Sequence, residues 1–140
     1  MLRRIIPDVI GRRQVVHLGG QATARQAAKL MRKHNVGAVL IIEDETLKGI
    51  LTVNDMTYRV IAEGRDPDKT LLGQVMTPDP DSVSSDTTAI EALRLMQDCD
   101  YRHLPIVDGG RVMGLVSRRD FHGVEKARLD DETALWERIS

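Results

Sequence analysis

The sequence predicts an α+β fold of two pseudo-symmetric repeats, each running β-α-β-β-α, with small mixed sheets packed against helices. Three observations carry this. Residues 21–55 align with residues 86–120 at a constant offset of 65 and without a gap. The matched apolar stretches change period from helical to strand-like at the same places in both copies. A strong two-residue hairpin signal, Asp108-Gly109, stands between two strand-like runs of the second copy. Eight aligned pairs are identical: Thr23/Thr88, Ala24/Ala89, Ala27/Ala92, Leu30/Leu95, Met31/Met96, Ile41/Ile106, Gly49/Gly114 and Asp55/Asp120. Ordinary composition gives roughly two by chance. Lys29/Arg94, Ile42/Val107, Glu43/Asp108, Ile50/Leu115 and Thr52/Ser117 are chemically close. A repeat this long is a statement about the fold. A unit of this size is marginal alone, so the two are expected to bury a face against each other.

The elements follow in order. Ala24, Ala27, Ala28 and Met31 recur at i, i+3, i+4 and i+7 and predict an amphipathic helix; Ala89, Ala92, Leu93 and Met96 repeat it. Each opens with a capping-box pattern, Thr23 with Gln26 and Thr88 with Glu91. Alanines on the buried stripe suggest close approach to a sheet. VGAVLII (36–42) and LPIV (104–107) read as buried strands, followed by LKGIL (47–51) after a turn in EDET (43–46), and by VMGLV (112–116). Second helices are expected over about 53–63 and about 118–128. AEGRDPDKT (62–70) reads as a polar connector, and Pro78 and Pro80 force an extended path into the second repeat. The expected division is repeat 1 at 1–66, repeat 2 at 67–128 and a tail helix at 129–140, with Leu135, Trp136 and Ile139 on its apolar side.

Bulk properties exclude several classes. The chain has 140 residues, 41% hydrophobic and 29% charged, with net charge −1. That balance provides no general field for nucleic acid or an anionic membrane. Aromatics make up 3%, too few for a base-stacking platform. No apolar run is long enough to span a bilayer or to act as a secretion signal. One cysteine, Cys99, rules out an internal disulfide framework and a multi-cysteine metal site, and a cytoplasmic location is expected. His17, His34, His103 and His122 lack metal spacing. Gly19-Gly20 and Gly109-Gly110 make no phosphate loop, and Ser117 lacks the frame of a hydrolase nucleophile. No acid, base and nucleophile assemble, so no enzyme is expected, and no metal or catalytic cofactor.

VMTPDPDSVSSDTTAIEALRLMQDCDYRHLPIVDGGRVMGLVSRRD (75–120) resembles a cystathionine-β-synthase (CBS) domain. The carrying features are VMT (75–77), the TTxxEAxxxM helix (88–96), RHLPIVD (102–108) and the closing GLVSRRD. Residues 18–55 resemble a second, more divergent copy that ends in GILTVND. The resemblance spans about residues 5–125 and implies a Bateman module. In that family such modules bind adenosine-containing ligands (AMP, ATP, NAD or S-adenosylmethionine) in clefts between the repeats, dimerise through their helices, and act as regulatory sensors.

The residues themselves explain why the pattern suits nucleotides. Thr52 and Ser117 stand where a strand ends and a helix begins, where free N–H groups and the positive end of the helix dipole gather. An aspartate one turn on can accept both ribose hydroxyls. The same [ST]-x-x-[DE] pattern is also a helix cap that needs no ligand, and from the residues alone both readings stay open. The resemblance implies ribose contacts for Asp55 and Asp120, and ribose or phosphate contacts for Thr52 and Ser117. It implies phosphate contacts for Arg102, His103 and a basic residue just before the final aspartate, Arg118 or Arg119. Val83 and Pro105 are candidates for the wall against adenine, and equally good core residues.

The copies differ in charge. Gly37 and Ala38 align with Arg102 and His103; Val53 and Asn54 align with Arg118 and Arg119. A planar guanidinium suits phosphate. A phosphorylated adenosine ligand is therefore expected at the second motif, with weaker binding, a less charged ligand or none at the first. The leading expectation is a sensor of an adenine nucleotide (AMP, ADP, ATP or NAD) that works as a homodimer, in trans, on a regulated protein the residues do not name. The alternative is a ligand-free dimerising scaffold for protein interaction. Nucleic-acid binding and membrane insertion are not expected.

Overall fold

A computed structural model describes residues 3–10, 15–121, 129, 131 and 133–135. In the first repeat, β1 (His17–Leu18) is followed by α1 (Ala24–His34), β2 (Ala38–Glu43) and β3 (Thr46–Thr52). The capping box of α1 is complete: Thr23 Oγ1 accepts the Gln26 N–H at 3.2 Å, and Gln26 Oε1 accepts the Thr23 N–H at 2.8 Å. Two of the N-terminal donors that a helix leaves unpaired are thereby satisfied. At the other end Asn35 takes the left-handed conformation, φ 52°. Ala24, Ala27 and Met31 are buried, but Ala28, expected on the same stripe, is exposed. The apolar face is narrower than four sequence positions suggested, and at the aligned position Leu93 is buried.

β1 pairs in parallel with β2, and β2 pairs antiparallel with β3 in the register Ala38↔Thr52 to Glu43↔Thr46. α2 (Val53–Asp55) runs directly into a wider π turn, Met56–Ile61. After the connector, α3 (Leu72–Val75) leads into β4 (Thr77–Pro78), which pairs antiparallel with β3 and completes a four-stranded mixed sheet in the order β1-β2-β3-β4.

The second repeat reproduces the plan. Val83 forms one parallel bridge to Ile106, at the positions 65 beyond the Leu18↔Ile41 pair. α4 (Ala89–Asp98) is capped by Thr88, whose side chain accepts the Glu91 N–H. β5 (His103–Asp108) and β6 (Arg111–Ser117) form a two-stranded sheet. Their turn lies at Gly109-Gly110, φ 55° and 81°, one residue beyond the expected Asp108-Gly109. Two successive glycines supply the positive φ that both central positions of such a turn need, and Asp108 remains the last residue of β5. The aligned turn of the first repeat forces Asp44 and Glu45 to φ 51° and 64°, where side chains are strained and glycine is not.

The described residues group into two compact units, and these are interleaved in sequence. Residues 15–81 with 109–112 form one; residues 3–10, 82–108 and 113–121, with those described beyond, form the other. The N-terminal segment thus joins the second repeat and not the first, which it precedes in the chain. It occupies there the place that 70–76 holds in the first repeat. The Ile5 N–H donates to Thr87 C=O, as the Leu72 N–H donates to Ala22 C=O. The Ala89 N–H donates to Arg3 C=O, as the Ala24 N–H donates to Thr70 C=O. Ile5 and Leu72 are both 0% exposed. One core gathers Ile5, Ile10, Ala92, Leu93, Met96, Leu104, Ile106 and Val116; the other gathers Ala27, Met31, Val39, Ile41, Leu51, Val60 and Leu72.

Most of the expected second helix at 118–128, and Trp136 and Ile139 of the tail, lie outside the described residues. Of the tail, residues 129, 131 and 133–135 are helical, Leu129 is buried and Leu135 is exposed. No helix of the described residues is long and apolar enough to cross a membrane, and no group of three or more His, Cys, Asp or Glu among them could hold a metal ion.

Candidate functional site

Both closing motifs lie at the junction between a strand and a helical turn, and both form reciprocal caps. In the first repeat, Thr52 Oγ1 accepts the Asp55 N–H at 3.2 Å, while Asp55 Oδ2 accepts the Thr52 N–H at 2.9 Å. Asp55 Oδ1 lies 3.8 Å from Arg59 Nε. In the second, Asp120 Oδ2 accepts the Ser117 N–H at 2.7 Å, and Ser117 Oγ accepts the Arg119 N–H at 3.2 Å. The cap explains why this hydroxyl–carboxylate spacing folds as it does. It fixes the carboxylates at the strand ends, half-buried in both copies.

A second strand end lies beside each junction. The Val53 N–H donates to Gly37 C=O and the Arg118 N–H donates to Arg102 C=O, each at 3.0 Å. The structure thus brings together residues that are about 15 apart in sequence. Gly37 and Ala38 flank the first junction, and Arg102 and His103 flank the second. Arg102 and Arg119 are exposed; Ser117, Asp120 and His103 are half-buried. His103 Nδ1 is buried and has no hydrogen-bond partner. Burial first, then the Arg119 charge, hold the His103 pKa below its ordinary value; Asp120 acts in the opposite direction and Arg102 in the same one. Burial of the imidazole and two neighbouring guanidinium charges therefore favour the neutral ring.

Arg118 departs from expectation. Its Nε donates to Tyr101 C=O and one Nη to Met96 C=O, both at 2.7 Å, with Asp100 Oδ1 at 3.3 Å. The guanidinium closes the C-terminal end of α4, where helix carbonyls lack partners and a cation is favoured by the dipole. Its Nε and one Nη are thereby committed to two carbonyls and a carboxylate within the same unit. Pro105 also departs: it is fully buried in β5 and presents no surface to a nucleobase. Val83, half-buried, donates its N–H to Pro105 C=O at 3.1 Å and accepts from the Val107 N–H at 2.8 Å, so it holds the edge of β5.

One pair was not singled out from the sequence. The Ser85 N–H and hydroxyl both donate to the Asp108 carboxylate, and these bonds hold Asp108 below the usual carboxylate range. The Gly20 N–H donates to Glu43 at 2.8 Å in the aligned position of the first repeat. The Glu43/Asp108 match was the available signal; Gly20 and Ser85 stand one residue before the aligned block.

Comparison with known proteins places these junctions in a family. A family model described as "CBS domain" matches residues 8–62 and 72–124. The CBS domain-containing protein YhcV of Bacillus subtilis is 37% identical over 107 residues, which cover 76% of each chain. The chain spans 64% of a 34% identical relative from Methanopyrus kandleri, MK0525, and 18% and 17% of two CBS domain-containing proteins of Arabidopsis thaliana. Among solved structures, the CBS domain protein NE2398 is 32% identical with a TM-score of 0.73, over 76% of this chain and 84% of that one. PAE2072 of Pyrobaculum aerophilum, a CBS domain protein complexed with AMP, shares the fold at 23% identity and a TM-score of 0.75, over 86% and 93% of the two chains. With two matched repeats and two capped strand–helix junctions, the chain belongs to the CBS-domain family and carries a tandem pair of these domains.

Proposed function

We propose that the chain is a sensor that binds a phosphorylated adenosine ligand at the second repeat's junction. The observation that carries this is the convergence of Arg102, His103 and Arg119 on the Ser117–Asp120 cap, where the first repeat has Gly37, Ala38 and Asn54. In this reading Asp120 accepts the ribose hydroxyls, Ser117 bonds ribose or phosphate, and Arg102, Arg119 and His103 hold the phosphate. Val83 lies against the adenine. Arg118 and Pro105 are left out, the first as a helix cap and the second as core. Thr52 and Asp55 form a weaker site without a nearby cation from Gly37, Ala38 or Asn54. AMP, bound by PAE2072, is the first ligand to test. The module acts as a homodimer in the cytoplasm, in trans on a regulated protein.

Thermal shift with AMP, ADP, ATP, NAD and S-adenosylmethionine tests the reading. Ligand at 100 times its dissociation constant adds about 2.7 kcal/mol, or roughly 5–10 °C for a chain of this size. Asp120→Asn keeps the size of the side chain and is expected to remove most of the shift while the protein stays folded. No shift with any of the five contradicts the reading.

A second reading, a ligand-free scaffold, is favoured by one observation. Val53, Tyr58 and Ile61, 50%, 66% and 73% exposed, leave apolar surface on the helical segment 53–61. A scaffold shows no nucleotide shift, and loses its oligomeric state on Tyr58→Glu or on deletion of 130–140.

A further inference from the structure

We propose that a phosphorylated ligand arriving at the second junction makes His103 take up a proton. The inference rests on the binding reading above. It starts from an imidazole at the head of β5 whose Nδ1 is buried and unpartnered. Among the described residues, the charged groups acting on the ring are Arg119 and Asp120 from the turn after β6, and Arg102, the residue just before β5. Two of the three are cations. In the unliganded protein the ring is neutral, because a further positive charge would be partly buried beside two guanidinium groups.

A phosphate held by Arg102 and Arg119 reverses this balance. Its negative charge offsets the two cations and favours the imidazolium. The charged ring donates from both nitrogens, so it can bond the anion. The bound state then carries more protons than the free state. By linkage, affinity rises as pH falls, with a limiting slope of about tenfold per pH unit for one proton. The phosphate itself pulls the other way. Its second pKa is about 6, and arginines prefer the dianion, so the ligand releases protons on binding. Net uptake can come only from the protein. The first junction has Ala38 at the matching position, 1% exposed, and Gly37 and Asn54 in place of the two arginines. A ligand bound there meets no histidine at the position that matches His103, so loss of uptake on His103→Asn also reports which junction is occupied.

Isothermal calorimetry of the full chain with AMP, in several buffers of different ionisation enthalpy near neutral pH, reads the proton directly. The expected result is uptake of a substantial fraction of a proton per AMP, with tighter binding at lower pH. His103→Asn and His103→Gln both abolish that uptake and flatten the pH dependence of whatever binding they retain. Adenosine, which lacks the phosphate, causes none. AMP binding with heats independent of buffer, or uptake that survives both substitutions, overturns this inference and leaves the binding reading standing. Absence of AMP binding overturns both.

Discussion

Ile5→Ala tests whether the N-terminal segment belongs to the second repeat. Ile5 is 0% exposed and sits in the core with Ile90, Met96, Leu104 and Ile106, while its N–H donates to Thr87 C=O at 3.0 Å. The substitution removes three carbons from a filled site. At about 0.8 kcal/mol per buried methylene the transfer term is roughly 2–3 kcal/mol, and a cavity term brings the total to about 3–4 kcal/mol. For a chain of this length that lowers the melting temperature by roughly 10 °C. Hydrogen exchange followed amide by amide gives the location. Ile5→Ala is expected to release protection at Leu104 and Ile106, about 100 residues away in sequence, and to affect Leu40 and Ile41 less. Leu72→Ala, the matched change in the other unit, is expected to do the reverse. A loss below about 1 kcal/mol for Ile5→Ala, or exchange that rises first at Leu40 and Ile41, would refute the grouping.

Three further outcomes are expected. The unliganded protein loses stability as pH falls below about 6.5, the ordinary histidine value, because the folded His103 pKa is depressed and the unfolded chain binds the proton first. Thermal denaturation of His103→Asn across that range should show a flatter curve, and an equal slope in both proteins rejects the effect. Arg118→Met keeps the stem but removes the bonds to Tyr101 and Met96, and should cost about 1–3 kcal/mol in denaturant titration; it should leave the AMP shift in place, and loss of the shift in a folded variant would restore Arg118 to the ligand contacts. Gly49→Ala would put a methyl group on Met76 Sδ and 2.9 Å from the Thr77 carbonyl oxygen, a backbone atom held by β4, whereas Gly114→Ala meets the movable end of Ile10 at 2.9 Å. The first should destabilise more than the second by urea titration, and the opposite order contradicts the account.

Much of the fold was legible because the chain writes it twice. The Thr23 and Thr88 caps, four strands and the hairpins follow from local period and local turn chemistry, which need no knowledge of distant residues. The N-terminal segment was not legible in this way. Ile5 and Ile6 read only as apolar, and nothing nearby in sequence says that their partners are Thr87 and Ala89. The match between 3–5 and 70–72 becomes visible only through the hydrogen bonds they make. At the site, the sequence identified the residues that meet but not the use each is put to. Arg118 and Arg119 are adjacent, yet one turns to the end of α4 and the other stands beside His103. That choice depends on where the Met96 and Tyr101 carbonyls lie. Ala28 illustrates the same limit: a helical period marks a candidate face, while the packing against it decides how wide the buried part is.

A crystal structure of the full chain grown with AMP most directly tests whether the arginine-bearing junction holds the nucleotide. The expected result is a ribose on Asp120, with the phosphate between Arg102 and Arg119. AMP seated instead on Thr52 and Asp55, or density for none at an AMP concentration that saturates the thermal shift, would contradict it.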